Sequence, residues 1–193
     1  MIFFTADLHF GHENIIKHCA RPFRTVGEMN STLIANWNAT VNADDTVYIL
    51  GDVFFGGKRN AEEYMQLIQQ LNGKKHLAPG NHDIVWIKHI DLSSCFESVS
   101  LMMEIRYSKK QLLTLCHYPM MSWKGDRDET GYMIHGRIHN RTDDEYFPHI
   151  RSNPYMLNAG VDVNNYKPVA FEELLRNNQK FKKSAMVGKK AKI

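Results

Sequence analysis

Thr46-Val47-Tyr48-Ile49-Leu50-Gly51-Asp52 is the stretch on which the fold turns. Its first five residues form a short, nearly continuous apolar run, the pattern of a strand buried on both faces. The run stops abruptly at a glycine and a carboxylate. Upstream, Thr25 and Glu28 have the spacing of a capping box, and Met29, Leu33, Ile34, Trp37 and Val41 recur at helical intervals. That pattern predicts a helix over 25–41. Downstream, Asn60 and Glu63 repeat the cap spacing ahead of Tyr64, Leu67, Ile68 and Leu71, which predicts a second helix over 61–71 with Gly73 at its C-cap. Residues 1–8 read as a first strand and Lys75–Ala78 as a third. Strands alternating with helices are the mark of an α/β domain.

Strands dominate the second half. Leu101–Tyr107 and Gln111–Cys116 read as a pair around the turn Ser108-Lys109-Lys110, followed by short strands at Tyr132–Ile134 and Met156–Ala159 and a closing helix at Phe171–Gln179. No repeat or Pro/Gly-rich linker divides the 193 residues, so one domain over 1–179 is expected. Residues 180–192 carry six lysines and no acid, so 180–193 reads as a basic, flexible tail. Those lysines also explain the net charge of +3; without them the chain is net acidic and shows no basic stripe. Nucleic acid is therefore not an expected partner.

A hydrophobic content of 43% and a charged content of 23% are ordinary for a globular protein. No apolar run approaches the roughly 20 residues that span a bilayer, so no membrane partner is expected. Met1–Phe4 meets Asp7 too soon for a signal peptide. Three cysteines with no C-x-x-C pair read as reduced and point to a cytoplasmic protein.

Ten histidines stand out less by number than by position. Five segments share one pattern, an apolar strand with Asp, Asn or His at its tip. They are Asp7-Leu8-His9, Gly51-Asp52, Gly80-Asn81-His82-Asp83, Cys116-His117-Tyr118-Pro119 and His135-Gly136-Arg137-Ile138-His139. Carboxylate oxygens and imidazole nitrogens are ligands for Zn, Mn, Fe and related divalent ions. On an extended backbone the alternating residues Asp7 and His9 point the same way, so both reach one ion. Ligands in such folds collect at the carboxyl ends of strands. Each segment alone is a common turn; their joint presence and order is what chance does not readily supply.

In that order the five segments resemble the signature of the calcineurin-like metallophosphoesterases, most closely a small bacterial and phage branch, and Gly160-Val161-Asp162 to Phe171-Glu172-Glu173 looks familial too. The resemblance implies a four-layer αββα sandwich of two mixed β-sheets flanked by helices, the metallo-dependent phosphatase fold. It implies a first metal held by Asp7, His9, Asp52 and His139, with Asp52 bridging to a second held by Asn81 and His117. The cofactors would be one or two divalent ions per chain, of manganese, zinc, iron or nickel. His82 would serve the leaving oxygen rather than a metal, and Asp83 either orients its imidazole or caps the turn. The reaction implied is hydrolysis of a phosphomonoester or phosphodiester by metal-activated water.

One position departs from the pattern. The family's Gly-His-x-His stands here as Gly136-Arg137-Ile138-His139, and arginine offers no lone pair. At about 4 Å from a unit positive charge it would add roughly 4 kcal/mol of repulsion at an effective dielectric near 20. Arg137 therefore swings out and leaves a weakened second site, or grips phosphate in place of the second cation, or marks a lost activity. Rescue by His135 is a further option. His12 either lines the pocket or caps a helix, and Arg21 either meets the substrate phosphate or is a surface arginine beside Pro22. No long insertion supplies a cap domain, so a small phosphorylated substrate, a nucleotide included, is expected. The competing expectation is a catalytically impaired relative that acts as a protein-binding scaffold; a nuclease leaning on the lysine tail ranks below both.

Overall fold

A computed structural model describes residues 1–56 and 61–187. Four parallel strands, β1 (Ile2–Thr5), β2 (Thr46–Ile49), β3 (Lys74–Leu77) and β4 (Ser98–Val99), form one sheet. The second contains β5 (Met102–Arg106), β6 (Leu112–Cys116), β7 (Gly131–His135) and β8 (Met156–Asn158), with β5 antiparallel to β6 and the rest parallel. Strand β9 (Val169–Ala170) returns antiparallel to β1, so the sheet orders are β4-β3-β2-β1-β9 and β5-β6-β7-β8. Both sheets are mixed.

The helices are α1 (Glu13–His18), α2 (Val26–Thr40), α3 (Ala61–Gln70), α4 (Asp83–Trp86), α5 (Phe147–Ser152) and α6 (Phe171–Val187). Alternation along the strands decides the layers. Phe3, Val47, Ile49 and Leu77 meet Met29, Leu33 and Trp37 of α2 and Tyr64 and Ile68 of α3. Phe4 and Leu50 face the other way and pack on Leu113, Leu115, Ile134 and Leu157 between the sheets. The far side of the second sheet buries Met133 and Met156 under Phe147 and Ile150 of α5. The result is helix, sheet, sheet, helix, the expected αββα sandwich.

Local chemistry sets the boundaries. Thr25 caps α2 by accepting from Glu28 N at 3.1 Å, as its spacing predicts, and Glu28 Oε2 accepts from Arg24 N. Trp37 is fully buried on α2, and its indole N–H donates to Asn72 O at 2.9 Å, so its burial strands no polar group. The Asn60 cap lies outside the described residues. The last helix does not stop at Gln179 but runs to Val187. Phe181 packs against the outer core, and the Lys182 ammonium donates to Asn153 O and Met156 O. Those contacts tie Phe181 and Lys182 to the body, while Lys180 and Lys183 stay exposed as the lysine count suggested. Among the described residues no helix is long and apolar enough to cross a membrane.

Candidate metal centre

The parallel strands of both sheets release their chains at one rim. Asp7 and His9 follow β1, Asp52 follows β2, Asn81, His82 and Asp83 follow β3, His117 follows β6, and His139 follows β7. The loops after β1 and β2 continue to pair once the strands have ended: Asp7 N donates to Gly51 O, His9 N to Asp52 O and Phe10 N to Val53 O, at 2.9–3.0 Å. This pairing does not keep Asp7 and His9 extended, as the alternation argument assumes. Both adopt left-handed backbone, with φ of 57° and 53°, and so do Asp52 (53°), Arg137 (75°) and His139 (50°). Such conformations are costly for non-glycine residues and collect at functional sites. The bend near His139 also falls on Arg137 itself rather than on the preceding glycine.

Gly51 and Gly80 are required by crowding. A Cβ on Gly51 (φ 81°) would lie 2.5 Å from His117 Nδ1, and one on Gly80 would run into the Asp52 carboxylate. Only bare backbone lets these loops close around the centre.

The side chains converge on Asp52. Its Oδ2 lies 3.5 Å from His117 Nε2, 3.6 Å from His9 Nε2 and 4.0 Å from His82 Nε2, while its Oδ1 accepts from His82 N at 3.0 Å. Asp7 Oδ1 accepts from Arg137 N at 3.0 Å. Asp7 Oδ2, His9 Nε2 and His117 Nε2 are buried and have no hydrogen-bond partner. Buried polar atoms without partners are rare. Here they gather into trios with ligand atoms within 4.8 Å of one another: Asp7, His9 and His139 in one, and Asp7, Asp52 and His117 in another. Oxygen and imidazole nitrogen atoms so arranged suit a divalent cation, and the donor set fits one.

Charge follows the same lines. Burial, with Asp52 adding to it, raises the Asp7 pKa against the pull of His139 and His117. Burial and the His139 charge drive His9 well below its usual value. Burial works against charge on His139, but Asp7 and the bond to Asp162 outweigh it and push its pKa up to about 11.

Two predicted residues do other work. Arg21 is buried, donates to Asp7 O (2.7 Å) and Leu8 O (2.9 Å), and pairs with both oxygens of Asp162. It braces the β1 loop from behind and cannot reach a substrate in the cleft. Asp83 accepts from Asp52 N, Gly80 N, Val53 N and Trp86 Nε1 at 2.7–2.9 Å. Its oxygens bind the loops rather than the His82 imidazole, the placement of a turn-capping aspartate. Burial pushes its carboxyl up to about 6, against four N–H donors that favour the ionised form.

Asp162 is the residue that sequence reasoning passed over. Its Oδ2 lies 2.9 Å from His139 Nδ1, so it orients that imidazole. The signal was there, since Gly160-Val161-Asp162 follows the β8 strand with the same strand-then-carboxylate pattern. Asn158 adds a second brace, donating to His139 O at 2.7 Å.

The remaining predicted residues line or flank a cleft of about 650 Å³ whose walls include His9, His12, His82, Arg137, His139 and Tyr146. Arg137 reaches across it, and its guanidinium donates to Asn81 Oδ1 at 2.8 Å. His135 is instead buried away from the centre: its Nδ1 meets Gly136 O at 2.9 Å and burial holds its pKa at about 4. It does not replace the missing histidine.

The comparisons with known proteins agree with this geometry. Residues 1–184 match the model of the calcineurin-like phosphoesterase family. The chain is 38% identical over 181 residues to an uncharacterized protein of Methanocaldococcus jannaschii, covering 94% of this chain and 93% of that one. It is 27% identical to the gene 66 protein of Mycobacterium phage D29, covering 84% and 88% of the two. Among solved structures, a protein of unknown function from Aquifex aeolicus superposes with a TM-score of 0.69 at 26% identity, covering 91% of this chain and 98% of that one. With its two mixed sheets, flanking helices and a cation-ready rim, the chain belongs to the calcineurin-like phosphoesterases and is a metal-dependent phosphoesterase.

Proposed function

We propose that the protein hydrolyses a small phosphomonoester or phosphodiester at a centre with one strong metal site and one weakened by Arg137. The observation that carries this reading is the set of buried, unpartnered atoms, Asp7 Oδ2, His9 Nε2 and His117 Nε2, gathered around the Asp52 carboxylate. Asp7, His9, Asp52 and His139 would hold the first divalent ion, manganese, zinc, iron or nickel. Asp52, Asn81 and His117 would hold the second. A bound ion there lowers the pKa of a water and polarises phosphoryl oxygens.

The chain's own groups supply the rest. His82 is about one-third exposed, and its backbone N–H is tied to Asp52, so its imidazole faces the cleft from a fixed base. It is suited to hand a proton to the departing oxygen of the ester. Arg137 Nη1 already occupies Asn81 Oδ1, the oxygen a second cation needs, and brings a positive charge to the same spot. Its planar fork of donors also suits a phosphate.

The experiment combines calorimetric titration of manganese into metal-free protein with hydrolysis of p-nitrophenyl phosphate and bis-p-nitrophenyl phosphate. His82→Ala is expected to bind manganese normally yet lose about 10²–10⁴-fold in turnover, the usual worth of a proton donor. Arg137→His is expected to tighten the second manganese equivalent. Two equally tight equivalents in the unaltered protein would refute the weakened site, and no hydrolysis by any variant would refute the substrate class.

A further inference from the structure

Of the imidazoles around the Asp7 and Asp52 carboxylates, the three proposed as ligands, His9, His117 and His139, must each offer a lone pair rather than an N–H to a cation. His117 meets this need by placing Nδ1 2.8 Å from Leu50 O, where it can only donate. His139 does the same with Asp162 Oδ2 at 2.9 Å. In both rings Nδ1 is engaged as a donor, so Nε2 is the nitrogen left to face a cation. Groups that orient metal-bound histidines in this way are a regular part of such sites.

His9 has the same requirement, since its Nε2 lies buried and unpartnered 3.6 Å from Asp52 Oδ2. Among the described residues, though, neither a carbonyl nor a carboxylate accepts from its Nδ1. The group found there is His12, whose Nδ1 lies 3.4 Å away. His12 is well held for that task. Its ring lies parallel to Phe55, with centroids 3.7 Å apart and planes inclined by 9°, and its backbone N–H donates to His9 O at 3.1 Å. It also occupies the N-cap position of α1, yet its side chain makes no capping bond, so the imidazole is not engaged by the helix.

We propose that His12 is a positioning residue: it accepts the Nδ1 proton of His9 and holds that ring in the tautomer that presents Nε2 to the metal. The stack on Phe55 supplies the rigidity that the backbone supplies at His117. This inference rests on the reading of His9 as a metal ligand.

Calorimetric binding of manganese to the metal-free full-length protein tests it, with nitrogen NMR of the histidine rings read on the same samples. His12→Ala is expected to weaken the tighter manganese equivalent by about 10–100-fold, the usual cost of losing an orienting partner. His12→Asn sets an amide oxygen near the position of Nδ1 and is expected to recover most of the affinity. The spectra should show His9 protonated at Nδ1 in the unaltered protein and in His12→Asn, and a tautomer mixture in His12→Ala. At saturating manganese, KM for p-nitrophenyl phosphate should not move. Unchanged manganese affinity in His12→Ala, or a raised KM with affinity intact, would overturn the proposal and make His12 a substrate contact. Absence of manganese binding by the unaltered protein would instead refute the ligand reading of His9.

Discussion

Replacing Asp83 with asparagine distinguishes a carboxylate that builds the loops from one that acts through His82. Oδ2 accepts from the Asp52 and Gly80 amides, and Oδ1 from the Val53 amide and the Trp86 indole, all at 2.7–2.9 Å. An asparagine keeps one acceptor oxygen and turns the other into an NH2 group. Whichever way the amide is flipped, two N–H donors then face another donor in a site with no solvent exposure. Each buried donor left unsatisfied costs about 1–3 kcal/mol, so the pair costs about 2–6 kcal/mol. For a domain of this size that corresponds to a fall in Tm of roughly 5–20 °C. Urea unfolding followed by tryptophan fluorescence measures it, since Trp86 is one of the affected partners. The midpoint should drop while the slope stays constant, and manganese affinity should fall with it because the Asp52 amide loses its anchor. If Asp83→Asn keeps native stability and metal affinity but loses turnover, Asp83 serves His82 and the structural reasoning is wrong.

Gly51→Ala places a methyl 2.5 Å from His117 Nδ1 and 2.6 Å from Gly80 N at a φ of 81°. The expected loss is about 1–3 kcal/mol from overpacking, with manganese binding weakened as His117 is pushed off Leu50 O; denaturation and calorimetry check both. Burial lowers the Lys182 pKa to about 8 from its ordinary 10.5, so between those pH values the unfolded chain holds more of this proton than the folded one. Its contribution to stability therefore rises with pH across that window. Subtracting the pH profile of Lys182→Met from that of the unaltered protein should leave that upward slope, and a flat difference would contradict it.

The apolar runs of β1 and β2 and the periodic faces of α2 and α3 were legible because one hydrophobic pattern fixes each of them. Strands β4 and β9, two residues each, carry no period to read, and α1 and α5 have six residues apiece. These elements exist because neighbours pair or pack with them. In the site, residue types at strand tips located the cluster. What they could not give was the direction of each side chain. Arg21 looked available to a phosphate because nothing local reveals that Asp162, 141 positions away, takes its charge. The left-handed turns at Asp7 and His9 escaped notice because no glycine marks them. They are imposed by pairing with the β2 loop.

Those turns have a consequence for metal uptake. Five of the groups around the cleft sit on backbone whose conformation is fixed by cross-loop pairing and by tightly packed glycines. The frame is therefore paid for when the sheets assemble, and taking up an ion asks little further rearrangement of the chain. With Asp7, His9, Asp52, Asn81, His117 and His139 as the proposed ligands, selection among divalent ions would fall to the chemistry of two carboxylates, three imidazoles and one amide, and to which ion the surroundings supply.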